Sequence, residues 1–92
     1  MNITESVKKD RSSGLIFKTE LSSLFIPWAH LQYIELINDE KLCLVFYFLK
    51  HTVFMIAPMD ILQYALEGCS KGEVSQIIFN DQVEIKIEER VG

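Results

Sequence analysis

The side chains with ready nucleophilic or metal-binding chemistry are few: two histidines, His30 and His51, and two cysteines, Cys43 and Cys69. A metal site needs several N, O or S ligands converging at compatible spacing. His30 has no Cys, Asp or Glu within four residues, and the sequence contains no HxxxH or CxxC. His51 falls at a hairpin tip. Cys43 lies inside an apolar run and Cys69 at the end of an apolar helical stripe, where thiols behave as small buried hydrophobes. A Cys–His pair formed across the fold would still be nucleophilic, since such partners need not be neighbours in sequence; the apolar settings of both cysteines speak against it. Asp60 and Glu67 share one side of a helix about two turns apart, which suits a solvated face better than an acid–base pair. The glycines form no phosphate-binding loop. The expectation is no catalytic residue, no metal ligand and no cofactor.

Trp28 carries the other candidate chemistry. An aromatic side chain at a strand end beside Pro27 either closes the end of a small core or lines a ligand pocket. With His30 two residues on, Trp28 defines a candidate ligand-binding site at the mouth of a sheet. Met55 and Met59 read as core fillers.

The elements that must position these residues are mostly strands. Leu15–Thr19, Leu24–Trp28, Tyr33–Ile37, Leu42–Leu49 and Thr52–Ala57 are apolar runs separated by turn residues, of which Asn38-Asp39-Glu40-Lys41 is the strongest signal. Pro27 has no N–H to give to a ladder and belongs at a strand end or edge. Lys50-His51 is short enough for a hairpin turn. In Leu42–Leu49, alternation puts Leu42, Leu44, Phe46 and Phe48 on one face and Cys43, Val45, Tyr47 and Leu49 on the other. Both faces are apolar, so this strand is predicted to be central and covered on both sides. The period then changes. Pro58 suits the first turn of a helix, Asp60 favours its positive end, and Ile61, Leu62, Ala65, Leu66 and Cys69 recur at helical spacing. Gly68 or Gly72 is positioned to end the helix. Gln76–Phe79 and Val83–Glu88 flank Asn80-Asp81-Gln82 and read as a final hairpin. In its second strand Val83, Ile85 and Ile87 face one way and Glu84, Lys86 and Glu88 the other. The predicted fold is α+β: a bent antiparallel sheet of about six or seven strands, forming a roll or half-barrel, with one helix packed on it. Residues 1–13 are polar and are predicted to be a loose segment before a single domain over 14–92.

Composition narrows the function classes. The 92 residues suit one domain, and 49% of them are hydrophobic, so apolar surface is left for a partner unless the core packs tightly. Nine basic and thirteen acidic residues give a net charge of −4. Nucleic-acid binding needs a basic stripe, and the only basic cluster, Lys8, Lys9 and Arg11, is interrupted by Asp10. The apolar run from Leu42 is broken by Lys50, His51 and Asp60, short of the roughly 18–20 residues that span a bilayer. With a polar stretch at residues 1–13 in place of a signal peptide, a cytoplasmic protein is expected.

The stretch Leu24-Phe25-Ile26-Pro27-Trp28-Ala29-His30-Leu31 resembles a motif of small bacterial PH/GRAM-like proteins, in which a hairpin enters an I-P-W segment. Gly14-Leu15-Ile16-Phe17 is similar to their first strand, and Phe54-Met55-Ile56-Ala57 leading into Ile61-Leu62 and Ala65-Leu66 is similar to their strand followed by a helix. Such a domain normally ends in its helix, whereas residues 76–88 follow it here. The resemblance implies a PH-like roll with a binding or assembly role and no catalytic residues. Small chains of this character also occur among mobile-element and integron-cassette proteins. The leading expectation is a non-enzymatic binding or protein-interaction domain, a homodimer, with another protein as a further candidate partner. The competing one is a small-molecule-binding protein or enzyme with its pocket near Trp28 and His30.

Overall fold

The computed structural model describes residues 13–90. The expected loose segment over residues 1–13 and the Lys8, Lys9, Arg11 cluster lie outside them, apart from Ser13. The strands are β1 (Gly14–Lys18), β2 (Ser23–Pro27), β3 (Leu31–Asn38), β4 (Leu42–Phe48), β5 (His51–Ile56), β6 (Gln76–Ile78) and β7 (Glu84–Glu89); helix α1 (Met59–Ser70) sits between β5 and β6. A single 3-10 turn, Trp28–His30, joins β2 to β3. The α+β class with one substantial helix is as expected from the sequence.

The ladders divide where one bent sheet was expected. A three-stranded sheet runs in the order β2-β1-β6 and a four-stranded sheet in the order β3-β4-β5-β7, and neither closes on itself. The first division falls at Pro27, which ends β2 because it cannot donate to a ladder; the 3-10 turn then redirects the chain into β3. The second falls at Asn80. Its Oδ1 accepts the Gln82 and Val83 N–H groups at 2.7 and 3.1 Å, an Asx turn of the kind the sequence signalled. The strands flanking this turn do not form the expected hairpin. β6 runs parallel to β1, with Ile77 opposite Phe17, while β7 runs antiparallel to β5, with Ile85 opposite Met55 and Ile87 opposite Val53. A strand's alternation says which face it buries, and both sheets offer an apolar face to match.

Burial follows the predicted faces. Leu44, Phe46 and Phe48 of β4 and Val53 and Met55 of β5 form one core with Leu15, Phe17, Ile26 and Ile77 of the small sheet and Leu62, Ala65 and Cys69 of α1. Phe17 joins the layers: its ring meets Phe46 edge-on at 5.3 Å and Phe48 at 6.0 Å, while Phe46 and Phe48 lie parallel to each other. On the other face of β4, Val45 is buried, Cys43 and Tyr47 are half-buried, and Leu49 is 54% exposed. Cover on that face is therefore partial, short of the two-sided burial expected. Leu49 belongs with Lys50 to the turn, one residue earlier than the predicted Lys50-His51.

Pro58 is the N-cap of α1, one position before the predicted first turn; its carbonyl accepts the Leu62 N–H at 3.0 Å. Asp60 occupies the first turn, where the helix dipole favours a carboxylate. Gly72 ends the helix, with φ 71°. Its N–H donates to the Cys69 carbonyl and the Glu73 N–H to the Gly68 carbonyl, the paired bonds of a Schellman motif. Gly68 lies inside the helix, where Val74 occupies the space a Cβ would need.

Candidate functional site

Trp28 opens the 3-10 turn that follows Pro27, and its N–H donates to the Ser13 carbonyl at 3.2 Å. Its side chain lines an open cleft of about 300 Å³, shared with Leu31 and Gln32 of β3 and with Cys69 and Ser70 at the end of α1. His30 does not line this cleft. In a 3-10 turn of three residues per revolution, a side chain two positions on is rotated by about 240°. The His30 carbonyl is used structurally, accepting the Leu49 N–H at 2.9 Å. The two residues paired as a candidate ligand site are therefore neighbours in sequence that the turn separates.

Gln32 and Cys69 at the cleft are committed to the fold, while the exposed Lys71 lines its rim. Arg90 reaches back from the end of β7, and its Nη1 donates to Gln32 Oε1 and to the Phe48 carbonyl, both at 2.9 Å. Burial alone pushes the Cys69 thiol up to about 12, so at neutral pH it is a protonated apolar wall and not a nucleophile. Cys43, on the opposite face of the large sheet, is also raised, chiefly by burial, with a backbone hydrogen bond from Met55 pulling the other way. Asp60 and Glu67 are exposed, as a solvated face requires. No group of three or more His, Cys, Asp or Glu side chains suited to a metal ion occurs among the described residues. A larger cleft, about 680 Å³, opens between Ile56–Pro58 and the Asn80 turn; its charged side chains are the exposed carboxylates of Asp81 and Glu84.

These thiol environments give a direct test. In Ellman titration of the folded protein at pH 8, Cys69 should react only after denaturant is added, while Cys43 should react slowly in the native state. A Cys43→Ser variant isolates Cys69; rapid native-state labelling of that variant would contradict the burial described. The sign for stability follows. The fold favours the protonated Cys69 thiol, so its contribution is full below the ordinary thiol value of 9.0 and is lost as pH rises from there toward about 12.

The outer face of the large sheet is the second apolar face predicted for β4, and the structure adds its cross-strand neighbours. Register places Tyr33 opposite Tyr47, Glu35 opposite Val45 and Ile37 opposite Cys43, and across β4 it places Phe54 opposite Val45 and Ile56 opposite Cys43. Directly opposed residues share a face. Tyr33 and Tyr47 stack at 4.3 Å between ring centres, and Tyr33 is 57% exposed. The Tyr47 hydroxyl donates to Glu35 Oε1 at 3.0 Å, which raises its titration point by holding the proton against the carboxylate. Glu84, Lys86 and Glu88 border the patch along β7, and Lys86 Nζ lies 3.3 Å from Glu88 Oε2. The alternate residues of β3 and β5, set against the turn at residues 39–41, carried the signal for this patch. Comparison with protein-family models, with curated proteins and with solved structures finds no match to this chain.

Proposed function

We propose that the chain is a non-catalytic protein-interaction domain of the cytoplasm that works as a homodimer. The observation that carries this reading is the outer face of the large sheet, where exposed Tyr33 and half-buried Ile37, Cys43, Tyr47, Phe54 and Ile56 surround the buried Val45 and make an apolar, aromatic-rich surface with a charged border. Aromatic residues at the centre and charge at the rim are the composition of protein interfaces. The committed hydrogen bonds and protonated thiol beside Trp28 weigh against small-molecule chemistry there. No described helix is long and apolar enough to cross a membrane. The I-P-W resemblance to PH/GRAM-like proteins fits the same reading, since such a domain would bring binding or assembly and no catalytic group.

Light scattering after size exclusion at micromolar concentration should give twice the mass of the 10.7 kDa chain. A monomer mass held across a tenfold dilution series overturns the dimer. A hydrolase or transferase activity abolished by replacing His30, His51, Cys43 or Cys69 overturns the non-enzymatic part.

A further inference from the structure

We infer that the outer edge of β3 is the seam at which two copies of this chain join, giving one continuous eight-stranded sheet. The inference rests on the self-association proposed above and assigns it a surface. The sheets present four edges among the described residues: β2 and β6 on the small sheet, β3 and β7 on the large one. Exposed edges offer unpaired N–H and C=O groups to other chains, and proteins guard them with short length, proline or charge. β6 has three residues. β2 ends in Pro27. β7 reads Glu84-Ile85-Lys86-Ile87-Glu88-Glu89, four charges in six residues, so its edge is guarded by charge. β3 is neither short nor broken by proline, and its one irregularity, a register shift between Leu31 and Tyr33, leaves Tyr33–Asn38 regularly paired to β4. It runs for eight residues, Leu31–Asn38, with Leu31, Tyr33, Ile34, Leu36 and Ile37 apolar or aromatic. Its one charge, Glu35, accepts the Tyr47 hydroxyl on β4 and so is turned away from the open edge.

A symmetric pair of antiparallel β3 strands has its two-fold axis along the sheet normal. Inner faces then stay inner only in registers centred on a residue, because a one-residue slip flips every side chain. Centring on Glu35 sets two carboxylates directly opposite each other, which is unfavourable. Centring on Ile34 or Leu36 pairs that inner-face residue with its own counterpart, next to Phe46 or Leu44 of the core strand. The outer faces of the two copies become one surface, and the register centred on Ile34 brings Tyr33 to its middle, opposite Glu35 of the second copy.

Hydrogen exchange read residue by residue by NMR, on the full chain at a concentration where light scattering gives a dimer, tests this. Alternate amides of Tyr33–Ile37, those directed away from β4, should exchange about tenfold or more slowly than the outward amides of β7 and β2. A dimer whose outward β3 amides exchange as fast as those of the other edges overturns the seam and leaves self-association through another surface. A monomer overturns both.

Discussion

Phe46→Ala is expected to cost about 3–5 kcal/mol, a large share of the roughly 5–15 kcal/mol that holds a small domain together. Phe46 is fully buried in the middle of β4, between Ile34 on β3 and Val53 on β5, with the Phe17 and Phe48 rings against its own. Truncation removes the burial of the ring and leaves a cavity that two sheets and a helix cannot all collapse into. The matched control is Leu49→Ala, which should stay within about 0.5 kcal/mol because Leu49 is 54% exposed. A double-mutant cycle adds the long-range part. Phe17 and Phe46 belong to different sheets and meet edge-on, so their coupling should be about 0.5–1.5 kcal/mol. Urea denaturation checks all three. A loss below about 1 kcal/mol for Phe46→Ala would remove β4 from the centre of the core, and zero coupling would mean that the sheets do not pack through these rings.

How much of this was legible in the sequence depends on whether a signal was local. The alternation of β7, the stripe on α1, the apolar run of β4 and the turn at residues 38–41 each name a face or a bend within a few residues, and each stands in the structure. Pairing is not local. The Asn80 turn carries its own Asx signature, yet Ile77 finds Phe17 about sixty residues away in the chain and Ile85 finds Met55, because both sheets offer an apolar surface of the right period. The candidate site shows the same limit. Trp28 was singled out for its type and place, and it does face a cleft; His30 was added for its nearness in sequence, and the 3-10 turn rotates it off that cleft. The Tyr33–Tyr47 stack needed a cross-strand register before two separate residues could be seen as one feature. What self-association would add is a second layer of pairing, between chains, which depends on which edge is left open.

Gly14→Ala is expected to cost about 1–3 kcal/mol, as overpacking a closely fitted site does. The added methyl would lie 2.5 Å from the Ile26 carbonyl oxygen and 2.6 and 2.7 Å from Cζ and Cε1 of Phe25. The two obstacles differ in kind. Phe25 is 50% exposed, so its ring can swing toward solvent. The Ile26 carbonyl belongs to the β2 backbone, paired here with β1 through Leu15 opposite Ile26 and Gly14 opposite Pro27, and it moves only if that ladder bends. Phe25→Ser in the Gly14→Ala background should therefore recover part of the loss and not all of it. The strain also lands beside the candidate cleft, since Ser13, the residue before Gly14, accepts the Trp28 N–H. Trp28 is the only tryptophan in the chain, so its fluorescence reports the displacement without a label. Gly14→Ala should shift the emission of the native state, whereas Leu21→Ala, at a side chain 96% exposed in the turn between β1 and β2, should stay within about 0.5 kcal/mol and leave the spectrum close to that of the parent. Complete rescue by Phe25→Ser would show that the ring was the whole obstacle, and a Gly14→Ala protein as stable as the parent would mean that β1 and β2 lie farther apart than the register requires.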